Sequence, residues 1–159
     1  LPDMLMMASP PALSQAVAAH EQVGGNVVVV EPAPEGEAHK YGIVALEGHD
    51  GRLNRMTGMV EKPAPGTEPS NLFISGRYIL QPEVMRVLEH QGKGAGGEIQ
   101  LTDAMAQMIG NQPFHAVTFD GARYDCGSKA GYIEANLAVA LSRPDMADEV
   151  RAMAQRLVS

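Results

Sequence analysis

The sequence of 159 residues contains one cysteine, no tryptophan and only 4% aromatic residues. A single cysteine cannot form a disulfide within the chain, which fits a reducing compartment, and we expect a cytoplasmic protein. So few aromatic side chains argue against a platform on which single-stranded nucleic acid would stack. Basic residues are also scarce, since 12 Lys and Arg stand against 19 Asp and Glu and give a net charge of −7. This balance lacks the basic surface of a nucleic-acid-binding protein, so any recognition of phosphate must be local.

The chain does contain enough apolar material for one folded domain. Hydrophobic residue types make up 45% of the 159 positions, and a chain of this length can bury a substantial core. We therefore expect a single domain over residues 1–159. No apolar run reaches the roughly 18 residues that a membrane-spanning helix requires, so the sequence indicates no membrane contact. The opening letters LPDMLMM (1–7) resemble a strand more than a frayed terminus, and we expect the chain to be part of a longer polypeptide.

Strand-like and helix-like segments alternate along the chain. The run NVVVVEP (26–32) is continuous and β-branched, as expected for a strand buried on both faces of a sheet. Helical spacing of apolar residues, with prolines near the start and glycines after the end, predicts helices, and Ser9 is the candidate N-cap of the first. The predicted helices are 9–25, 81–97, 98–111, 128–143 and 144–158, and the further strand-like segments are 41–47, 52–62, 72–80 and 113–127. This alternation predicts an α/β fold with a mixed sheet flanked by helices, because two segments read as hairpins.

Two aspartates beside strand-like segments are candidates for a metal site. Asp3 comes after an apolar start, where the carboxyl end of a strand would present it to a crevice, and Asp125 ends another strand with Gly127 beyond it. Two carboxylates at one edge of a sheet suit Mg²⁺, which takes one or two carboxylates together with phosphate oxygens of a substrate. A helix cap or an ordinary loop carboxylate is the plainer interpretation of either residue on its own.

The stretch MVEKP (59–63) places a carboxylate and an ammonium side by side where a strand stops. Neighbouring side chains on a strand point to opposite faces, so Glu61 and Lys62 reach one ligand only if the strand ends or bends there. A lysine suits a phosphate monoester, and a carboxylate accepts hydrogen bonds from sugar hydroxyls. An exposed ion pair of little energetic value is the alternative. Gly42, which follows Tyr41, allows either the close approach of a ligand or a bulge in the strand.

Other chemical motifs are weak or missing. The glycine-rich stretch GKGAGG (92–97) precedes a helix but lacks the Lys-Ser/Thr end of a P-loop. We interpret it as a flexible connection that brings Glu98–Asp103 near the site. Cys126 has no cysteine or histidine neighbour at metal-ligand spacing, which argues against a zinc site. No Ser/His/Asp arrangement is visible either.

Six stretches nevertheless occur in a specific order. They are LPD (1–3), YGIV (41–44), GMVEKP (58–63), PSNLFISGRYIL (69–80), GGEIQLTDAM (96–105) and YDCGSKAGY (124–132). In this order they resemble the bacterial UTP–glucose-1-phosphate uridylyltransferases, over essentially the whole chain. The resemblance implies a Rossmann-like nucleotide-diphospho-sugar transferase fold, present in part. It also implies an enzyme that forms UDP-glucose and pyrophosphate from UTP and α-D-glucose 1-phosphate with Mg²⁺.

The resemblance assigns roles to individual residues as well. Asp3 and Asp125 match the two carboxylates that bind Mg²⁺. Lys62 matches the residue that holds the sugar phosphate, and Glu61 the residue that bonds glucose hydroxyls. The sugar-binding set is completed by Tyr41, Gly42 and Gly76.

The expected partners are the small-molecule substrates UTP and glucose 1-phosphate. We also expect a homo-oligomer in which copies of the chain contact each other through the helices of Ser128–Val158. One alternative keeps the chemistry and changes the nucleotide or sugar, as in a thymidylyltransferase. Another is a non-catalytic module that binds a sugar phosphate or serves assembly. The presence of Glu61, Lys62 and Asp125 argues against this last interpretation.

The resemblance leads to one prediction about the isolated chain. The glycine-rich nucleotide loop of the family precedes the LPD segment, and no residue of this sequence precedes Leu1. We therefore expect a pure preparation of these 159 residues to be inactive or nearly so. An assay with UTP, glucose 1-phosphate and Mg²⁺ checks this expectation, and formation of UDP-glucose by the chain alone would refute it.

Overall fold

The computed structural model describes residues 3–48, 51–94 and 97–158. The helices are α1 (Ala12–Val23), α2 (Glu83–His90), α3 (Leu101–Met108), α4 (Lys129–Ser142) and α5 (Ala147–Val158). The strands are β1 (Met4–Met7), β2 (Asn26–Pro32), β3 (Gly42–Leu46), β4 (Leu53–Glu61), β5 (Leu72–Ile79), β6 (Phe114–Thr118) and β7 (Ala122–Asp125). Residues 1–2 and 95–96, which belong to stretches quoted above, lie outside the described residues. Within the described ranges, no helix is long and apolar enough to cross a membrane.

The contacts of the chain group into two compact units. The larger unit is Ala8–Asp120, and the smaller one combines the described residues before Ala8 with those after Asp120. Helices and a mixed sheet are present as predicted, which confirms the α/β fold class. The single domain over 1–159 stays a prediction.

The larger unit is built on a closed five-stranded sheet with the order β2-β5-β3-β4-β6. Only β2 and β6 run parallel, and the other neighbours are antiparallel. Val27–Val30 of β2 are fully buried, which explains their unbroken β-branched sequence. Burial of one such valine side chain stabilises the fold by about 1.5–3 kcal/mol.

Helices pack on the closed sheet of the larger unit. Helix α1 contacts β2, β5 and β6, and its buried residues Ala12, Ala16 and Ala19 recur at helical spacing. Helix α3 contacts β4 and α2. It contributes Ala104, Met105 and Met108 to the main apolar core. The rest of this core is formed by Val28, Val30, Val44, Met56, Met59, Val84, Phe114 and Ala116.

The smaller unit consists of two paired strands and two helices. β1 and β7 pair antiparallel, with Met4 opposite Asp125 and Met7 opposite Ala122. Helix α4 contacts β7 and α5. Ser128 is the N-cap of α4, and its Oγ accepts a hydrogen bond from the Gly131 N–H at 3.0 Å.

Two local predictions are wrong. Ser9 does not cap α1, because the helix begins at Ala12 with Pro11 as its N-cap. The extended backbone of Pro11 lets its carbonyl accept the Gln15 N–H at 3.0 Å, so the first turn forms without a side-chain cap. The segment 113–127 is not a hairpin either, because β6 joins the closed sheet while β7 pairs with β1.

His115 on β6 is expected to make the stability of the larger unit depend on pH. It lies opposite Val27 of β2 and Arg55 of β4, and its buried Nδ1 has no hydrogen-bond partner among the described residues. Burial, followed by the charge of Arg55, lowers the pKa of His115 below its ordinary value of 6.5. The neutral imidazole therefore stabilises the folded state above pH 6.5, and this contribution is lost as the pH falls through the lower pKa of the folded state.

We expect the His115→Gln variant to lose stability less steeply than the wild type when the pH falls below 6.5. Urea unfolding on both sides of that pH measures the difference. Gln22→Asn, an exposed change on α1 that removes no titratable group, is the control and should keep the wild-type slope. Equal slopes for His115→Gln and the wild type would contradict the assignment.

Candidate active site

The antiparallel pairing of β1 and β7 brings the two candidate aspartates together. Asp125 is the last residue of β7 and lies opposite Met4, the first residue of β1. Asp3 immediately precedes β1. The expectation that Asp3 follows a strand is therefore wrong for the described residues. It reaches the same edge because the start of one antiparallel strand lies beside the end of the other.

The loop after β7 holds both aspartates through its backbone. The Cys126 N–H donates a hydrogen bond to the Asp3 carbonyl at 2.8 Å, and the Gly127 N–H donates to Asp125 Oδ1 at 2.9 Å. A Cβ at position 127 would lie 3.0 Å from Asp125 Oδ1 and 3.1 Å from Asp3 Oδ2. Both carboxylates thus approach the same point, on the exposed side of the loop.

The donor set around this point is limited. Within the part of the chain that the structure describes, no three His, Cys, Asp or Glu side chains gather closely enough to hold a metal ion. The pair can therefore supply two carboxylates, and any further ligands of a cation would come from water or a substrate.

A second group of predicted residues surrounds the end of the β3–β4 hairpin, in the larger unit. Gly42 and Glu61 are opposite each other in the strand register. The Lys62 N–H donates a hydrogen bond to the Tyr41 carbonyl at 3.0 Å, one residue beyond the ladder. Lys62 has a φ of 46°, in the left-handed region that non-glycine residues rarely adopt. The strand therefore ends with a sharp change of direction at Lys62, as required for two consecutive side chains to serve one ligand.

The side chain of Glu61 lies across Gly42. A Cβ at position 42 would lie 2.8 Å from Glu61 Oε2 and 3.3 Å from Ile74 Cδ1. Any larger residue would displace the carboxylate, so the close approach explains the glycine. Thr102 Cγ2 of α3 would be 3.7 Å from the same Cβ. Thr102 lies in the segment Glu98–Asp103, which the sequence predicted to approach the site.

Tyr78 is a neighbour of this group that the sequence analysis missed. Burial, followed by the negative charge of Glu61, raises the pKa of Tyr78 to about 12, although the charge of Arg77 opposes the shift. The sequence gives only a weak signal for it, since Tyr78 follows Gly76 by two residues on an apolar strand. Tyr41 is held by the core, because its ring packs on the buried Phe73 with ring centroids 4.5 Å apart.

Gly76 lies in an irregular part of β5. Its φ is 81°, and the register with β2 shifts between Val28 and Val30. The glycine is thus needed for the bulge. Its contact with a sugar stays a prediction.

Lys62 is exposed, and its Nζ has no hydrogen bond or ion pair among the described residues. Glu61 and Lys62 therefore do not form the exposed ion pair that was the alternative interpretation. The ammonium remains available to an anion from outside the chain.

The family model described as nucleotidyl transferase matches residues 2–142. The chain therefore belongs to the nucleotidyl transferase family.

More specific similarities lie within this family. The chain is 40% identical, over 99% of its length, to a curated protein of Staphylococcus epidermidis named UTP–glucose-1-phosphate uridylyltransferase, of which it covers 54%. Among solved structures, a UDP-glucose pyrophosphorylase complexed with UDP-glucose shares 36% identity with a TM-score of 0.83, over 90% of this chain and 55% of that one. A UTP-bound UGPase from Acinetobacter baumannii shares 34% identity with a TM-score of 0.85, over 99% and 55%. These similarities confirm the resemblance and the predicted nucleotide-diphospho-sugar transferase fold. The chain spans about half the length of the curated relatives it matches.

The proximity of Glu61 and Tyr78 can be tested directly. We expect Glu61→Gln to lower the pKa of Tyr78 from about 12, while burial keeps it above the ordinary value of 10.0. The ring-carbon NMR shift of Tyr78, followed against pH, measures this pKa. Glu47→Gln is the control, because Glu47 pairs with Arg55 at 3.8 Å and should leave Tyr78 unaffected. An unchanged pKa in Glu61→Gln would contradict the described arrangement.

Proposed function

We propose that this chain supplies the sugar-phosphate-binding and metal-binding residues of a uridylyltransferase. The proposed reaction joins UTP and α-D-glucose 1-phosphate to give UDP-glucose and pyrophosphate. The observation that supports it best is the convergence of Asp3 and Asp125 on one point beside Gly127. The names of the similar proteins support the choice of substrates.

The aspartate pair fits a Mg²⁺ ion in the chemistry of its donors. Mg²⁺ is commonly held by one or two carboxylates and completes its shell with water and substrate phosphates. Asp3 and Asp125 would be the protein ligands, and the ion would neutralise charge on the phosphates of UTP. The hydrogen bonds from Cys126 and Gly127 hold the two acidic residues in place before any ligand arrives.

The second group fits a sugar phosphate. Lys62 would pair with the phosphate of glucose 1-phosphate as a point charge, and its backbone conformation directs the chain away from the strand at this residue. Glu61 would accept hydrogen bonds from glucose hydroxyls. Gly42, beside Tyr41, would let the Glu61 carboxylate lie across the strand and would offer its backbone to the sugar, and Gly76 would contact the same region.

Positioning and charge neutralisation account for the chemistry that this chain would contribute. The oxygen of glucose 1-phosphate that attacks the α-phosphorus of UTP is already ionised, so no general base is needed. The barrier arises from bringing two anions together in line. A cation at Lys62 lowers this repulsion, and a fixed sugar position aligns the attacking oxygen.

The proposal extends to assembly and location. Apolar residues remain exposed on both helices of the smaller unit, including Ile133 at 60% and Leu157 at 81%. Such residues suit a contact between copies of the chain, so we propose a homo-oligomer that uses α4 and α5. We further propose that the protein is cytoplasmic.

Lys62 provides the sharpest test of the proposed function. In a polypeptide that contains this chain and spans the length of the matched relatives, we expect Lys62→Ala to lower kcat/KM for glucose 1-phosphate by about a hundredfold or more, because the phosphate loses its cationic partner. Lys93→Ala removes another exposed lysine and serves as the control.

The assay measures UDP-glucose formation with UTP and, in parallel, the product formed with dTTP. Unchanged kcat/KM in Lys62→Ala would overturn the role of Lys62. A preference for dTTP would replace uridylyl transfer by thymidylyl transfer and leave the residue roles intact.

A further inference from the structure

Gly127 occupies the position between the two aspartates, although it has no side chain with which to bind anything. Its φ lies outside the left-handed region, so the backbone does not require glycine there. It is also exposed, so packing against a core does not require it. The residues around position 127 therefore explain why it is a glycine.

Those neighbours are the two carboxylates. A Cβ at position 127 would lie 3.0 Å from Asp125 Oδ1 and 3.1 Å from Asp3 Oδ2, whereas ordinary contacts of a Cβ begin at 3.4 Å. A methyl group would therefore crowd both acids at once. Because carboxylates rotate, they would turn aside, and Asp125 would weaken its hydrogen bond with the Gly127 N–H.

We propose that Gly127 is a positioning residue that sets the separation of the Asp3 and Asp125 carboxylates and thereby the affinity of the site for a divalent cation. This inference rests on the metal site of the proposed function. Mg²⁺ tolerates little variation in the positions of its ligands, since it demands near-octahedral geometry with oxygens at about 2.0–2.1 Å. Groups that orient metal ligands from outside the coordination shell commonly change metal affinity by about 10- to 100-fold when they are altered.

The chain offers a matched control at Gly92. This glycine is also exposed and also has a φ outside the left-handed region, but a Cβ there would meet no atom within 4 Å. Gly92→Ala and Gly127→Ala thus add the same methyl group to two exposed glycines whose φ lies outside the left-handed region. They differ in whether that group contacts carboxylates.

The test uses the 159-residue chain labelled with ¹⁵N and Mn²⁺ alone as the probe. Paramagnetic broadening of the amide signals of residues 125–128 reports binding beside the aspartates without any enzymatic assay. We expect the apparent Kd of Gly92→Ala to equal that of the wild type, and that of Gly127→Ala to rise by about tenfold or more. Competition by Mg²⁺ should follow the same order.

The possible failures can be told apart. Equal Mn²⁺ affinity in the wild type and Gly127→Ala would overturn the role of Gly127 and leave the proposed metal site standing. Absence of local broadening in the wild type would overturn the metal site itself, and this inference with it. Asp125→Asn provides the reference for a damaged site.

A second measurement tests the inference even if Gly127→Ala folds poorly. If the methyl group acts by crowding the two carboxylates, it should destabilise the chain less in the Asp3→Ala/Asp125→Ala background than in the wild type, as judged by denaturant unfolding. Equal destabilisation in both backgrounds would show that the methyl group acts on something else and would overturn the inference.

Discussion

The candidate metal site depends on the antiparallel pairing of two short strands. Asp3 and Asp125 come from distant parts of the sequence, and they meet because Met4 is opposite Asp125 in the β1–β7 register. The Cys126 N–H, bonded to the Asp3 carbonyl at 2.8 Å, continues this register by one residue. A slip of one residue would turn every side chain of the strand to the other face and separate the acids. The packing of α4 on β7 adds tertiary support that a two-stranded sheet needs.

The second group depends on a strained residue. The left-handed backbone at Lys62 costs about 1–2 kcal/mol relative to an ordinary conformation, because the Cβ crowds a carbonyl oxygen. The β3–β4 ladder and the hydrogen bond from Lys62 to the Tyr41 carbonyl hold it in place. Strain retained in this way is typical of sites where the direction of a side chain matters. It also resolves the geometric difficulty of the Glu61–Lys62 pair, since an undisturbed strand would direct these two side chains to opposite faces.

The sequence could predict segments whose pattern is local. The β-branched run of β2 and the helical spacing of α1 each reveal an element without reference to the rest of the chain. It could not predict that β7 pairs with β1 and β6 with β2 and β4, because strand pairing is decided by contacts between distant residues. The position of Asp3 before its strand was missed for the same reason. The sequence could not predict the role of Tyr78 either, because its pKa depends on burial in the folded chain and on the Glu61 carboxylate of another strand.

The charge distribution explains why single residues matter so much here. A chain with a net charge of −7 repels phosphates at long range, although salt screens that repulsion beyond about 8 Å. Several other basic side chains are already paired with carboxylates and are less available to a phosphate. Lys40 pairs with Glu37 at 2.7 Å, and Arg143 pairs with Asp145 at 2.7 Å. Lys62 has no such partner in the described part of the chain. An anionic substrate at short range would therefore meet an ammonium whose charge is not yet compensated, and this local balance, rather than the overall charge, would decide whether a phosphate binds.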